Sequence, residues 1–307
     1  MFFNHLFHII FNLKNYCFFI INIKYYHINM SKLNTHLEEM IQSSTPSIKL
    51  NLIRDYPSKE PKCLIVCHHG IMVNSKFYDK FSKESNNLNI IVYRYDARGH
   101  GKSEGKRGYV KSIFEMVEDL KIIIDLAKKE NPNVPVFTMG HSMGGHVNAL
   151  FGTKYPNQVK GVIIASGLLK DNFHLFGDLP LEGEHEKYIP ISKALKINID
   201  AEMVQEALIK AYPNLVSELT ISIMNSFVEG FDYLKKNDKN FKDPVLILNG
   251  NADFVVNEKD AIDFYMEIEN NDKSLILFSG IGHELWNEEK GDVVIPQIIN
   301  WIQRRLN

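Results

Sequence analysis

Six short, almost wholly apolar segments, each followed by glycine or polar residues, constrain the fold of this 307-residue chain more than any other feature. A continuous apolar strand is expected where helices cover both faces of a parallel sheet, because neither face then meets water. The sequence therefore predicts a mostly parallel central sheet. The segments are KCLIVCHHG (62–70), NIIVYRYDARG (89–99), VPVFTMG (134–140), VKGVIIASG (159–167), PVLILNG (244–250) and SLILFSG (274–280).

Helical patterns fill most of the intervals between these segments. Residues 112–130 place apolar side chains at i, i+3, i+4 and i+7, which is typical of an amphipathic helix. Residues 257–270 and 292–307 follow a similar pattern, with Pro296 in or near the first turn of the last helix. Strands that alternate with helices predict an α/β fold with a doubly wound sheet. Residues 47–57 alternate apolar and polar side chains and are predicted to form an edge strand.

The interval 168–243 breaks this alternation. A structureless loop of that length is unusual in a compact domain. Within it, residues 200–226 have a helical amphipathic pattern, whereas residues 168–190 are typical of a loop. We therefore predict a core formed by 31–167 and 244–307, with 168–243 inserted as a helical cap over the strand ends.

Residues 1–30 differ in character from the rest of the chain. They are rich in Phe, Ile, Asn and Tyr, and they lack the basic start and small-residue cleavage site of a signal peptide. Lys14 and several asparagines interrupt the apolar stretch, which makes it a poor spanning helix. Three interpretations stay open: a weak membrane anchor, a disordered extension, or upstream sequence joined to a true start at Met30. The sequence from Met30 onward is typical of a cytoplasmic protein.

The overall composition excludes several function classes. A formal net charge of -2 favours neither a nucleic-acid partner nor a polyanionic substrate. The three cysteines are too few and too irregular for a disulfide framework. Cys63 and Cys67 precede two histidines, which would suit a metal site, but no second ligand cluster follows and we favour two buried strand residues. No nucleotide loop or flavin motif is present, so no cofactor and no metal are expected.

Ser142 lies between a predicted strand and a predicted helix in the segment GHSMGG. The pattern G-x-S-x-G is weak alone, but the strand–turn–helix context predicts a nucleophile elbow. Gly140 and Gly144 supply the small residues that such a sharp turn requires two positions before and after the serine. The N-terminus of the following helix would stabilise developing negative charge.

A serine hydroxyl is a weak nucleophile without a base. Asp253 and His283 each follow a predicted strand, in the chain order serine, acid, histidine. Both are expected at the carboxyl edge of the sheet, where ligands bind in open α/β folds. His283 would accept the Ser142 proton, and Asp253 would fix the imidazole tautomer.

Other histidines and aspartates are weaker candidates for these roles. We expect His141 to point away from the sheet edge and His146 to lie on the helix. Asp96 and His100 are expected to organise their own loop. Three further aspartates precede a strand or lie on a helix: Asp243, Asp260 and Asp263.

An oxyanion hole needs two backbone N–H groups. One is expected from Met143, the residue after the nucleophile, and the other from the loop after an earlier strand. Ile71 is the expected second donor, and Gly70 lets the backbone turn there. For His69 we favour a structural hydrogen bond within this loop.

Five segments together resemble the monoacylglycerol lipase and lysophospholipase group of the α/β-hydrolase superfamily. The resemblance implies a Ser142, Asp253 and His283 triad, with the N–H groups of Ile71 and Met143 as the oxyanion hole. It also implies a serine esterase whose substrate is a monoacylglycerol or a lysophospholipid. The segments are HHG, YDARGHGKSEGKRGYV, GHSMGG, NGNADFVV and GIGHEL, of which the second is the most specific.

This sequence departs from the group in three places. Members usually continue His-Gly with a small residue and then Gly-Glu-His, whereas here residues 71–74 are Ile-Met-Val-Asn, which makes the entrance to the acyl pocket bulkier. The region before Cys63 is short for the usual opening hairpin. The cap, 168–243, shows no motif that aligns, although caps carry much of the substrate selectivity.

Several functions therefore stay open on the same scaffold. The alternatives to a lipid esterase are a short-chain carboxylesterase, a thioesterase, a peptidase, or a non-catalytic ligand-binding protein. The apolar stretches 175–181 and 219–228 of the cap would either receive an acyl chain or pack the cap onto the core. No protein partner is implied, and transient contact with a membrane surface through the cap or residues 1–30 stays open.

Overall fold

The computed structural model describes residues 32–170, 179–190, 212 and 214–306. Its main sheet has eight strands: β1 His36–Gln42, β2 Lys49–Asp55, β3 Cys63–His68, β4 Ile90–Tyr95, β5 Val136–His141, β6 Gly161–Ala165, β9 Val245–Gly250 and β10 Lys273–Phe278. Their spatial order is β1-β2-β4-β3-β5-β6-β9-β10, and all neighbours from β4 to β10 are parallel. All six strands predicted from apolar segments are therefore confirmed.

The start of the sheet corrects two expectations. β2 is not an edge strand, because it pairs antiparallel with both β1 and β4. The edge strand at this end of the sheet is β1, so the opening hairpin is present rather than too short. Nearly all of β1 is exposed on both faces, so its sequence lacks the apolar alternation that identifies a strand.

Six α-helices lie within the described residues. The patterns over 112–130, 257–270 and 292–307 are confirmed as helices, as is the helix after Ser142, and Pro296 lies in the first turn of the last one. The short first helix was not predicted, because it buries only one large apolar side chain, Phe81. The helices are α1 Asp79–Asn87, α2 Phe114–Glu130, α3 Met143–Lys154, α4 Ile221–Asn237, α5 Glu258–Glu267 and α6 Val294–Gln303.

Helices cover both faces of the sheet, which confirms the doubly wound α/β architecture. Side chains of β3 alternate between two buried clusters: Leu64 and Val66 face the cluster that includes α2 and α3, whereas Cys63, Ile65 and Cys67 face the cluster that includes α1 and α6. Each face of the sheet thus has its own apolar core.

The two strand cysteines are core residues, as we favoured. Neither Cys63 nor Cys67 exposes any surface. Burial raises the pKa of the Cys63 thiol to about 12 and also raises the pKa of Cys67. Within the part of the chain that the structure describes, no group of three or more metal-ligating side chains is present.

The predicted cap is described only in part. Residues 171–178, 191–211 and 213 lie outside the described residues. Strands β7 Tyr188–Pro190 and β8 Glu218–Thr220 form a separate antiparallel pair. The division into core and cap stays a prediction, and the predicted segment 1–30 also lies outside the described residues.

The helix predicted over 200–226 is tested only in part, because residues 200–211 and 213 lie outside the described residues. Residues 214–217 are not helical, and β8 follows them. Helix α4 begins only at Ile221, where the Thr220 hydroxyl accepts a hydrogen bond from the Ile223 N–H at 3.3 Å. It then continues to Asn237. None of the helices in the described ranges combines the length and apolarity needed to cross a membrane.

Candidate active site

Ser142 lies at the sharp turn between β5 and α3, with φ 55° and ψ −118°. An L-residue with positive φ is strained by about 1–2 kcal/mol, so the surrounding structure must hold it. The Ser142 N–H donates to the Ala165 carbonyl at 3.0 Å, and the Ser142 carbonyl accepts from the His146 N–H at 3.0 Å. These bonds fix the turn to β6 on one side and to α3 on the other.

Steric crowding explains why the positions around Ser142 are glycines. A Cβ at Gly140 would collide with the Gly144 carbonyl, and a Cβ at Gly144 would collide with the His68 carbonyl. A Cβ at Gly145 would lie 2.6 Å from the Gly167 Cα. The turn is therefore packed backbone against backbone on three sides, as expected for a nucleophile elbow.

Asp253 and His283 are joined at the carboxyl edge of the sheet. The His283 Nδ1–H donates to Asp253 Oδ2 at 2.9 Å. The other carboxylate oxygen, Oδ1, accepts from the N–H groups of Val255 and Val256, each at 2.8 Å. Both oxygens of Asp253 are thus fixed, and His283 is left with Nε2 as its free acceptor.

Charge and burial act in opposite directions on this pair. Burial works to raise the pKa of Asp253, but His283 and the two backbone N–H groups outweigh it and hold the pKa below its usual value. Burial likewise works to lower the pKa of His283, but the Asp253 carboxylate outweighs it, so the pKa of His283 lies above 6.5. The site therefore stabilises an imidazolium, which a general base needs in the transition state.

With His283 in its predicted role as general base, its raised pKa gives an expected pH dependence of turnover. A general base must be neutral before it accepts a proton, and His283 stays protonated to a higher pH than an ordinary histidine. We expect kcat/KM to rise with pH, with the midpoint of the acidic limb above about 6.5. A pH profile of kcat/KM in constant ionic strength measures this midpoint. A midpoint near or below the ordinary imidazole value would contradict it.

The position of His141 corrects our expectation that it points away from the sheet edge. Its Nε2–H donates to the His283 carbonyl at 2.8 Å, and the two rings lie 4.7 Å apart. The Phe77 ring stacks on its other side at 4.2 Å. Burial, and secondarily the charge of His283, lower the pKa of His141 to about 3, so it stays neutral. His141, the residue before Ser142, therefore connects the nucleophile turn to the loop that carries His283, which we call the histidine loop.

The alternation of side chains along β5 could have predicted on which side of the sheet His141 lies. Residues of β5 alternate between the two faces of the sheet, and Phe137 and Met139 face the cluster that includes α6. His141 continues that series, and Trp286 of the histidine loop lies in the same cluster. Strand alternation thus predicts that His141 lies on the same side of the sheet as Phe137 and Met139, next to Trp286.

The loop after β3 lies directly against the elbow. A Cβ at Gly70 would lie 3.2 Å from the Ser142 Cβ. The His69 Nδ1–H donates to the Gly70 carbonyl at 2.7 Å, and His69 Nε2 accepts from the Ala97 N–H at 2.9 Å. His69 therefore has the structural role that we favoured.

The residues that replace the group's usual Gly-Glu-His are buried. Met72, Val73 and Asn74 each expose less than a tenth of their surface. Met72 adopts φ 75°, a conformation that favours glycine, and its carbonyl accepts from the Val216 N–H at 2.9 Å. The glycine-type backbone is thus retained with a bulky side chain. Ile71 and Met143 stay predictions for the oxyanion hole.

The YDARGHG segment organises its own loop, as expected. Asp96 accepts from the N–H groups of Ser75 and Lys102, each at 2.8 Å. Arg98 forms a buried bidentate ion pair with Asp119, at 2.7 and 2.9 Å. The His100 ring contacts His69 at 5.4 Å, so this loop supports the one that lies against Ser142.

The sequence is similar to known proteins along most of its length. The sequence profile of the family described as "Serine aminopeptidase, S33" matches residues 59–290. The monoacylglycerol lipase of Mycolicibacterium smegmatis is 24% identical over 262 residues, covering 81% of this chain and 91% of that protein. The human monoglyceride lipase is 28% identical over 263 residues, covering 81% and 85% respectively.

A solved structure shares the fold. The soluble variant of the Saccharomyces cerevisiae monoglyceride lipase, crystallised with a substrate analogue, superposes with a TM-score of 0.74 at 19% identity. The match covers 89% of this chain and 97% of that one. At this identity the likeness establishes the α/β-hydrolase fold alone.

Proposed function

The chain belongs to the serine aminopeptidase S33 family of α/β-hydrolases, and from this membership we propose that it cleaves the carboxylic ester of a single-chain lipid, a monoacylglycerol or a lysophospholipid. The observation that carries the proposal is the hydrogen bond between Asp253 and His283, beside the strained turn of Ser142. Two relatives are named monoacylglycerol lipase and monoglyceride lipase, which supports a lipid ester as the substrate.

The proposed reaction proceeds through an acyl-enzyme. Ser142 Oγ attacks the ester carbonyl while His283 Nε2 takes its proton, and the N–H groups of Ile71 and Met143 stabilise the oxyanion. The ester C–O bond then breaks, and His283 gives its proton to the leaving alcohol. Water attacks the acyl-serine, again losing a proton to His283, and the fatty acid leaves as Ser142 regains its hydrogen.

The described part of the predicted cap bears on whether its apolar stretch 219–228 receives an acyl chain. Ile223, Met224 and Phe227 of α4 expose no surface, and the Phe227 ring contacts His146 of α3 at 5.7 Å. These contacts support the interpretation in which this stretch packs against the core rather than receives an acyl chain. Of the other apolar stretch, residues 175–178 lie outside the described residues.

A panel of substrates tests the proposed ester class. We expect the full-length protein to hydrolyse a monoacylglycerol or a lysophosphatidylcholine with a higher kcat/KM than a short-chain ester, an acyl thioester or an aminoacyl amide. The lipids should carry the same acyl chain, so that only the bond and the head group differ. Preference for the short-chain ester, thioester or amide would replace the lipid assignment with that alternative. No turnover of any substrate would favour the non-catalytic alternative.

A further inference from the structure

Glu288 holds the backbone on both sides of His283. Its Oε2 accepts a hydrogen bond from the Gly282 N–H at 2.8 Å, and its Oε1 accepts from the Glu284 N–H at 3.1 Å. One carboxylate therefore fixes the residue before and the residue after the histidine. Charge-assisted bonds of this kind are stronger than bonds between neutral groups.

The loop that Glu288 bridges is strained and needs such support. Leu285 adopts φ 47° while its side chain is fully buried. A leucine in the left-handed region is strained, so its neighbours must hold the loop in place. Gly282 also fits this arrangement, because a Cβ there would lie 2.7 Å from Glu288 Oε1.

We propose that Glu288 is a positioning residue, which keeps His283 aligned between Asp253 and Ser142 by clamping the loop backbone on both sides. The proposal rests on the proposed function, because alignment matters only if His283 serves as the base. Asp253 fixes the imidazole ring and His141 fixes the His283 carbonyl. Glu288 adds a restraint on the backbone, through the N–H groups of Gly282 and Glu284 on either side of His283. A misplacement of about 1 Å in such a group costs about 10²-fold in rate.

Glu288 also contributes to the charge around His283. Together with Asp253 and Glu284 it favours the protonated imidazole. Glu284 is partly buried, which raises its pKa, and it is hydrogen-bonded to Tyr212. Among the residues that the structure describes, the titratable groups that face His283 are Asp253, Glu284, Glu288 and His141.

Substitution with an isosteric amide tests the clamp. In Glu288→Gln an N–H₂ group would face one of the two N–H donors, so that one restraint is lost together with the charge. We expect kcat to fall about 10- to 100-fold with KM within about twofold of wild type. The acidic limb of kcat/KM should move to lower pH, because a negative charge near His283 is removed.

Glu288→Asp separates the two contributions. The shorter side chain keeps the charge but does not reach both N–H groups, so the acidic limb should stay near that of wild type while kcat is still reduced. Glu289→Gln is the matched control, since Glu289 is an exposed neighbour. All variants should be compared below the lowest Tm in the set, so that loss of folded protein does not enter kcat.

Two results would overturn the proposal. One is a kcat for Glu288→Gln within about twofold of wild type. The other is an equal loss in Glu289→Gln, which would show a general effect of charge on this loop. Either leaves the proposed function intact as long as Ser142→Ala abolishes hydrolysis. If Ser142→Ala retains activity, the proposed function fails first and the clamp fails with it.

Discussion

Replacement of Ser142 by alanine will lower kcat for ester hydrolysis by about four to six orders of magnitude. Alanine removes the only atom that forms the acyl bond in the proposed mechanism, and it leaves the volume of the turn almost unchanged. Binding should persist, because the site that surrounds the ester is otherwise intact. Steady-state kinetics on a monoacylglycerol measures the loss, with an inhibition constant for an unreactive analogue as the test of binding.

Ser85→Ala is the control for this experiment. Ser85 is fully buried in α1, and its hydroxyl has no hydrogen-bond partner within the described residues, so its removal should leave both stability and kcat near wild type. Substantial turnover by purified Ser142→Ala would show that a different group is the nucleophile.

Asp253→Asn will lower kcat by about 10⁴-fold without unfolding the protein. The amide can still accept the N–H bonds of Val255 and Val256 through its oxygen, at 2.8 Å each in the native site. Its N–H₂ group then faces His283 Nδ1, which favours the tautomer that carries its proton on Nε2. In that tautomer Nε2 has no lone pair to accept the Ser142 proton.

The matched control for Asp253→Asn is Asp263→Asn on α5, which loses only an exposed ion pair with Lys259. Thermal unfolding of both variants separates a chemical effect from a structural one. If Asp253→Asn keeps kcat within tenfold of wild type, the acid of the site lies elsewhere.

The sequence predicts the parallel part of the fold well, for a physical reason. β3 to β6 and β9 are buried along their whole length, so their apolar character alone identifies them. β10 is only partly buried, but its run of apolar residues identifies it as well. β1 is nearly all exposed and α1 buries one large apolar side chain, so their positions depend on tertiary contacts that the sequence pattern does not encode.

The same distinction holds at the site. Chain order and the positions of the strand ends predicted that Ser142, Asp253 and His283 lie at one edge of the sheet. In the structure, Asp253 and His283 are hydrogen-bonded to each other. The role of His141 and the clamp by Glu288 depend on bonds to backbone groups of the His283 loop. Such bonds depend on how a loop is folded in three dimensions, and a residue type alone does not reveal them.

Covalent labelling with a fluorophosphonate, followed by peptide mass spectrometry, tests the central claim most directly. The account predicts one adduct per chain, on the peptide that contains Ser142, with labelling slowed in Asp253→Asn and competed by the preferred lipid ester. An adduct on another serine, or an unlabelled protein that still hydrolyses lipid esters, would contradict it.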